Sequence, residues 1–285
     1  MLTIIESINL SEKYLKERGI SEPRINAEIM LAEILSCKRL DLYLRFDRPL
    51  KEDERLKYRE FLSRRGNNEP LQYILNKTEF YGLEFYVDEN VLIPRPDTEI
   101  LVEEIIERFS EIKTEIKILD VGTGSGNIAV ALAKNIPSAK IAAIDVSEKA
   151  LQIAERNAEA NQTAGVDFKL VDIFNSSGEI ETHNFDVIVS NPPYISKNNL
   201  EELEKEVKER EPLNALTDGG NGLSFYERIC EIGKTALNEN GLLFFEIEKD
   251  AEEKIGSIMQ NHGYKEIETK KDFAGITRII WGKNK

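Results

Sequence analysis

Ile116-Lys117-Ile118-Leu119-Asp120-Val121-Gly122-Thr123-Gly124-Ser125-Gly126 decides the fold of this 285-residue chain. The first six residues, mostly apolar and β-branched, read as a buried strand. Glycines at every second position then let the backbone turn tightly and approach a ligand at the start of the helix that runs from Asn127. The following strand, over 140–145, closes on Asp145, 23 residues beyond Gly122. An acid about 20 positions after such a loop is placed for the hydroxyls of a ribose. A glycine loop alone is often only a tight strand–helix turn. Strand before, helix after and acid at the next strand end together predict an adenosine-containing cofactor, either a dinucleotide or S-adenosylmethionine.

Outward from this unit, strand and helix alternate. Strands are predicted at 116–121, 140–145, 167–171, 185–190, 241–247, 264–270 and 276–282, and helices at 98–112, 126–135, 147–162, 222–238 and 250–262. Such alternation predicts an α/β sheet with helices on both faces. Only Lys271 to Gly275 separate the closing strands, too few residues for a parallel crossover, so the last strand runs antiparallel. The third strand ends at Asp172, Ile173 and Phe174, where an acid and two apolar groups could grip an adenine ring. A strand-end aspartate capping its own loop is the competing reading.

The N-terminal part has a different texture. Residues 1–75 read as helices, with Ile25, Ile29, Ala32 and Leu35 at helical spacing after a Ser21-Glu22-Pro23 start that looks like a cap. Another helix is predicted from about Glu52 to Arg65. Two short strands around Gly82 then form a hairpin leading to Ile93-Pro94-Arg95-Pro96-Asp97. The expected domains are 1–76, helical; 77–93, a hairpin linker; and 94–285, the α/β domain.

Phe185-Asp186-Val187-Ile188-Val189-Ser190 reads as a buried strand ending at Asn191-Pro192-Pro193-Tyr194. Two prolines remove two backbone donors, so the turn presents carbonyl oxygens and one side-chain amide. A cluster of acceptors at a strand end suits the capture of an –NH2 group. The alternative for Asn191 is a turn former bonded to its own backbone.

Composition excludes several classes. Apolar residues make up 41% and the mean hydropathy is −0.39, enough apolar residues for a core but without a run that could span a bilayer. No secretory leader is apparent, and Cys37 and Cys230, far apart in sequence, read as reduced thiols of a cytoplasmic protein. The net charge of −14 is unevenly spread: 15 Lys/Arg face 17 Asp/Glu over residues 1–90, leaving 23 against 35 for 91–285. Proteins that bind a duplex usually carry the opposite sign. His183 and His262 fall where surface roles are expected, and no metal set is apparent.

The Gly122–Gly126 loop, Asp145 and Asn191-Pro192-Pro193-Tyr194 together resemble class I S-adenosylmethionine-dependent methyltransferases of planar –NH2 groups. Three further segments are similar to the HemK/PrmC family of release factor glutamine-N5 methyltransferases. They are Ile93-Pro94-Arg95-Pro96-Asp97-Thr98-Glu99; Glu211-Pro212-Leu213-Asn214-Ala215-Leu216 with Gly219-Gly220-Asn221-Gly222-Leu223; and Asp272-Phe273-Ala274-Gly275-Ile276-Thr277-Arg278. Ile173 stands where some members carry tryptophan. The resemblance spans the whole chain and implies a seven-stranded mixed sheet. It also implies an N-terminal helical domain that docks the substrate protein, a class 1 peptide chain release factor. S-adenosylmethionine would be held by Gly122, Thr123, Gly124, Ser125, Gly126, Asp145, Asp172, Ile173 and Asn191, with S-adenosylhomocysteine as product. Asn191 and Pro192 would be catalytic, and Pro193 and Tyr194 would complete the substrate site. No membrane or nucleic acid partner is expected, and a monomer is. Arg95, Asp97, Glu99 and Glu211 would brace the hinge or line the site mouth, and 199–210 would be a solvated helix or a cover. Competing readings are methylation of another planar amine, a silent module that holds a translation factor, and an NAD-dependent dehydrogenase.

Overall fold

The computed structural model describes residues 2–175 and 184–285, which leaves His183 outside the described residues. The chain divides into two compact units, Met1–Lys77 with Glu204–Arg210, and Thr78–Leu203 with Glu211–Lys285.

The first unit is helical: α1 (Ile4–Glu17), α2 (Pro23–Ile34), α3 (Arg39–Leu44), α4 (Glu52–Gly66) and α5 (Leu71–Leu75). Thr3 and Glu6 form a reciprocal cap on α1. Ile4, Ile8, Leu15, Met30, Leu31 and Phe61 are buried together. Two sequence expectations for α2 differ. Ser21 is not a side-chain cap; Glu22 takes the cap position in the left-handed region (φ 47°), and the Asn26 side chain donates to the Ser21 and Glu22 carbonyls instead. The buried face runs through Ala27, Met30 and Leu31, while Ile25 and Ile29 are only half-buried. The stretch expected as a solvated helix or cover is also divided. Its helix α9 (Lys205–Arg210) belongs to the helical unit, where buried Arg65 pairs with Glu206 at 2.6 Å and Arg210 donates to the Asn67 carbonyl at 2.7 Å.

The second unit starts with a hairpin of β1 (Thr78–Phe80) and β2 (Leu83–Phe85) and continues through α6 (Pro96–Phe109). Then β3 (Ile116–Val121), α7 (Asn127–Asn135), β4 (Ala139–Asp145), α8 (Glu148–Ala160), β5 (Val166–Leu170) and β6 (Phe185–Ser190) follow. After α10 (Leu213–Leu216) come α11 (Ser224–Ala236), β7 (Leu237–Glu246), α12 (Glu252–Asn261), β8 (Lys265–Lys271) and β9 (Thr277–Lys283). The seven strands order as β5-β4-β3-β6-β7-β9-β8, with β9 antiparallel to both of its neighbours.

Alternation explains why the sheet takes helices on both faces. Val187 and Val189 of β6, Phe244 of β7 and Trp281 of β9 pack on one face; Ile188, Leu243, Phe245 and Ile280 pack on the other. The chain leaves β3 toward β4 and β5, then crosses back to place β6 on the other side of β3. That reversal opens a crevice beyond the carboxyl ends of β3 and β6, where ligands of open α/β sheets bind.

Candidate active site

A groove of about 290 Å³ lies at this switch point, within the second unit alone. One wall is the glycine loop. Gly122, Gly124 and Gly126 all have positive φ, and a Cβ on Gly126 would sit 3.0 Å from the Ala154 methyl. Glycine is therefore required there by conformation and by the close approach of α7 and α8. Gly122 and Gly124 line the groove, and a Cβ on either would meet no protein atom within 4 Å. Thr123 and Ser125, grouped with them at the sequence level, are buried instead and support the loop from beneath. Thr123 Oγ1 donates to Asp120 Oδ2 at 2.6 Å, and the Ser125 carbonyl accepts from Asn157 Nδ2 at 2.9 Å. Alternate residues of the turn differ in this way, so the Thr123 and Ser125 side chains are buried beneath the loop. Gly126, packed on Ala154, is not in the groove wall either.

Asp145 is built into this loop. Its Oδ2 accepts the Gly124 N–H and its Oδ1 the Ser147 N–H, both at 2.9 Å. With the Val146 N–H also directed at it, the carboxylate keeps one lone pair for an incoming hydroxyl. Burial raises the Asp145 pKa and the backbone donors oppose that. Further along, Ile173 is buried in the wall beside Val171 and Phe225, and Phe225 meets Phe174 edge-on at 5.1 Å. These apolar surfaces fit a flat ring. Asp172 also lines the groove, but its oxygens hold the Phe174 N–H at 2.9 Å and the Asn175 amide at 2.6 Å, the loop-capping arrangement. Hydroxyl acceptors at one end and apolar walls at the other match an adenosine group.

Asn191, Pro192 and Pro193 line the opposite part of the groove. Ser190 Oγ bonds the Val121 carbonyl at 2.7 Å, tying the turn to the end of β3. Asn191 is not bonded to its own turn. Its Nδ2 donates to Thr98 Oγ1 at 3.2 Å, and Thr98 Oγ1 donates in turn to Glu246 Oε2 at 2.5 Å. Among the described residues no donor bonds Asn191 Oδ1 or the Pro192 carbonyl. Tyr194, next in the turn, packs on the apolar cluster containing Tyr226 and Ile247 and is not among the residues lining the groove. Burial raises its phenol pKa. Its carbonyl lies where a Cβ on Gly222 (φ +79°) would come within 2.1 Å, so that glycine lets the 218–224 loop close against the turn.

The linker motif braces this end of the sheet. Arg95 donates to Glu211 Oε1, which is almost fully buried, and the Ile93 N–H reaches Oε2 at 3.3 Å. Asp97 pairs with Arg278 at 3.1 Å, and Arg278 with Asp272 at 3.0 Å. Glu99 accepts the Tyr81 N–H at 2.8 Å, joining the hairpin to α6.

Asp120 and Thr98 lie inside motifs that gave them no role, and Glu246, Asn157 and Phe225 lie outside every motif. Asp120 and Glu246 each follow an apolar run, Ile118-Leu119 in β3 and Leu242-Leu243-Phe244-Phe245 in β7, the one signal that could have found them. Both are fully buried, and burial pushes each carboxyl up to about 7, against a hydroxyl bond from Thr123 in one case and Thr98 in the other.

Glycine loop, strand-end acid and groove at the β3/β6 crossing, in a seven-stranded sheet whose penultimate strand is antiparallel, fit an enzyme of the class I methyltransferase fold. A methyltransferase domain profile matches residues 112–274, and the profile of the PrmC N-terminal domain matches residues 6–75. The release factor glutamine methyltransferase of Fusobacterium nucleatum is 40% identical over 281 residues, covering 98% of this chain and 78% of that protein. That of Bacillus subtilis is 38% identical over 287 residues, covering 98% and 97%. A methyltransferase structure from Pyrococcus furiosus superposes with a TM-score of 0.52 at 18% identity, covering 72% of this chain and 90% of that one, which shows the shared fold. The chain belongs to the release factor glutamine methyltransferase family.

Proposed function

We propose that the chain transfers a methyl group from S-adenosylmethionine to the side-chain amide nitrogen of the glutamine in the Gly-Gly-Gln motif of class 1 peptide chain release factors. The observation that carries this reading is the pair of acceptors, Asn191 Oδ1 and the Pro192 carbonyl, left without donors at the groove. A primary amide offers two N–H groups, one for each.

An amide nitrogen is a poor nucleophile because its lone pair is delocalised into the carbonyl. Two acceptors in fixed positions hold the –NH2 in one plane and direct the lone pair along one line, supplying orientation. They also stabilise positive charge as it develops on nitrogen. When bound, S-adenosylmethionine supplies an electrophilic methyl group. Gly122, Gly124, Asp145 and Ile173 would hold it, with Asp145 receiving hydroxyls and Ile173 packing on the ring. The amide proton becomes acidic only after the nitrogen is alkylated, so no strong base is required at the site; Asn191 Oδ1 or the Pro192 carbonyl would hold that proton until it leaves to water.

The near-neutral helical unit suits docking of the release factor better than the acidic second unit. The protein is expected to act as a cytoplasmic monomer, and among the described residues no helix is long and apolar enough to cross a membrane. The test is incubation with S-adenosylmethionine and a purified release factor. Mass spectrometry is expected to find one methyl group on the glutamine of its Gly-Gly-Gln loop. An unmodified glutamine, or label transferred to nucleic acid instead, contradicts the reading.

A further inference from the structure

We infer that Glu246 and Thr98 are positioning residues that set the orientation of the Asn191 amide through the state of one buried carboxyl. The inference rests on the acceptor role proposed above for Asn191. Its basis is a directional chain of hydrogen bonds. Asn191 Nδ2 donates to Thr98 Oγ1 at 3.2 Å, and Thr98 Oγ1 donates to Glu246 Oε2 at 2.5 Å. Thr98 and Glu246 are 1% and 2% exposed, so water does not compete for these groups.

A hydroxyl has one proton. While Glu246 is a carboxylate it can only accept, so the Thr98 proton is committed to it. Thr98 can then only accept from the next group, and the group that donates is the Asn191 –NH2, which the Glu246 carboxylate also holds inward by direct interaction. The amide is locked with Nδ2 inward and Oδ1 outward, the orientation that capture of a substrate –NH2 requires. Protonation of Glu246 reverses the logic. The carboxylic acid donates to Thr98, the hydroxyl proton is released, and it can be given to Asn191 Oδ1. That removes the acceptor from the substrate side and permits the amide to turn over.

The surroundings place this change in an accessible range. Glu246 lies on β7, faced from α6 by Asp97 and Thr98, from β9 by Arg278, from the turn after β6 by Asn191 and Tyr194, and from α11 by Tyr226. Glu248 follows on its own chain. Asp97 and Arg278 are paired with each other at 3.1 Å, so their opposite effects on Glu246 largely offset. Burial then dominates and carries the carboxyl up to about 7. Ionised Glu246 is the working form, so turnover rises with pH through that region.

The test compares Asn191→Ala, Thr98→Val, Thr98→Ser and Glu246→Gln with the wild type, measuring kcat, KM for the release factor, thermal melting and S-adenosylmethionine affinity between pH 6 and 8.5. Thr98→Val is expected to lower kcat about 100-fold with KM nearly unchanged, and Thr98→Ser to restore most of it. Glu246→Gln is expected to lower kcat about tenfold and to abolish the acid limb of the profile. The side-chain –NH2 resonance of Asn191 provides a readout independent of turnover: it is expected to shift with pH near 7 in the wild type and to stay fixed in Glu246→Gln. Wild-type kcat and pH profile in Thr98→Val and Glu246→Gln, with Asn191→Ala inactive, would overturn the relay and leave the acceptor role standing. Normal turnover in Asn191→Ala would overturn both. Loss of melting temperature or cofactor affinity in step with kcat would reduce the pair to structural support and also defeat the inference.

Discussion

Asp120 and Glu246 sit at the carboxyl ends of two strands that flank β6, and the comparison between them separates the two halves of the site. Each is a fully buried carboxyl raised to about 7, and each accepts a threonine hydroxyl. Their threonines lead to different places. Thr123 is part of the glycine loop, so Asp120 holds the backbone that would meet the cofactor. Thr98 comes from α6, and its second partner is Asn191, so Glu246 is linked to the side chain proposed to face the substrate. One buried acid supports a cradle made of backbone; the other supports a single movable amide. The first should influence stability and cofactor affinity, the second the methyl transfer itself.

The largest effect that could break this division is expected from Asn191→Ala. Methyl transfer should fall by about 10²–10³-fold while S-adenosylmethionine affinity, read by calorimetry, stays near the wild-type value. A parallel loss of cofactor affinity would merge the two halves. Asp145→Ala should show the opposite pattern, with cofactor affinity weakened about 10- to 100-fold because charged hydrogen-bond acceptors are lost from the loop side. Gly222→Ala tests the turn between the halves. Its Cβ would approach the Tyr194 carbonyl to 2.1 Å from a residue at φ +79°, so a loss of about 2 kcal/mol or more in denaturant unfolding is expected, with turnover falling too.

The effect smallest at any one pH step is a slope. Asp120 binds its proton more tightly in the folded state, up to about 7 against an ordinary 3.8. Its contribution to stability is therefore complete below the ordinary value and is lost as pH rises toward 7, above which the buried charge remains a constant cost. Asp120→Asn removes that dependence. The melting temperature of the variant relative to wild type should rise between pH 5 and pH 8, by no more than about 1.4 kcal/mol of stability per pH unit. A constant difference across that range would show that Asp120 does not change its protonation.

These residues also mark where the sequence stopped being readable. β4, β6 and the second half of β7 were legible because each is a largely apolar run closed by a polar residue, and the antiparallel end followed from a loop too short to cross over. Asp145 and Asn191 were legible because their positions at strand ends follow from local spacing. Thr98 and Glu246 were not, since the bond between them joins residues 148 positions apart, and no period links them. Loop side chains show a related limit: spacing shows that Gly122–Gly126 turns, but not that the Thr123 and Ser125 side chains are buried. In α2, apolar and small residues occur on most sides, so Ile25 and Ile29 gave no reliable guide to the face built on Ala27, Met30 and Leu31. The left-handed Glu22 cap depends on the Asn26 side chain reaching back, a local contact that residue type alone does not disclose.

The central claim is geometric, and a crystal structure of the protein with S-adenosylhomocysteine and a Gly-Gly-Gln peptide tests it most directly. The glutamine amide nitrogen is expected within about 3 Å of both Asn191 Oδ1 and the Pro192 carbonyl oxygen, with its open face toward the sulfur. A glutamine nitrogen bonded elsewhere, with Asn191 Oδ1 turned toward Thr98, would contradict the account.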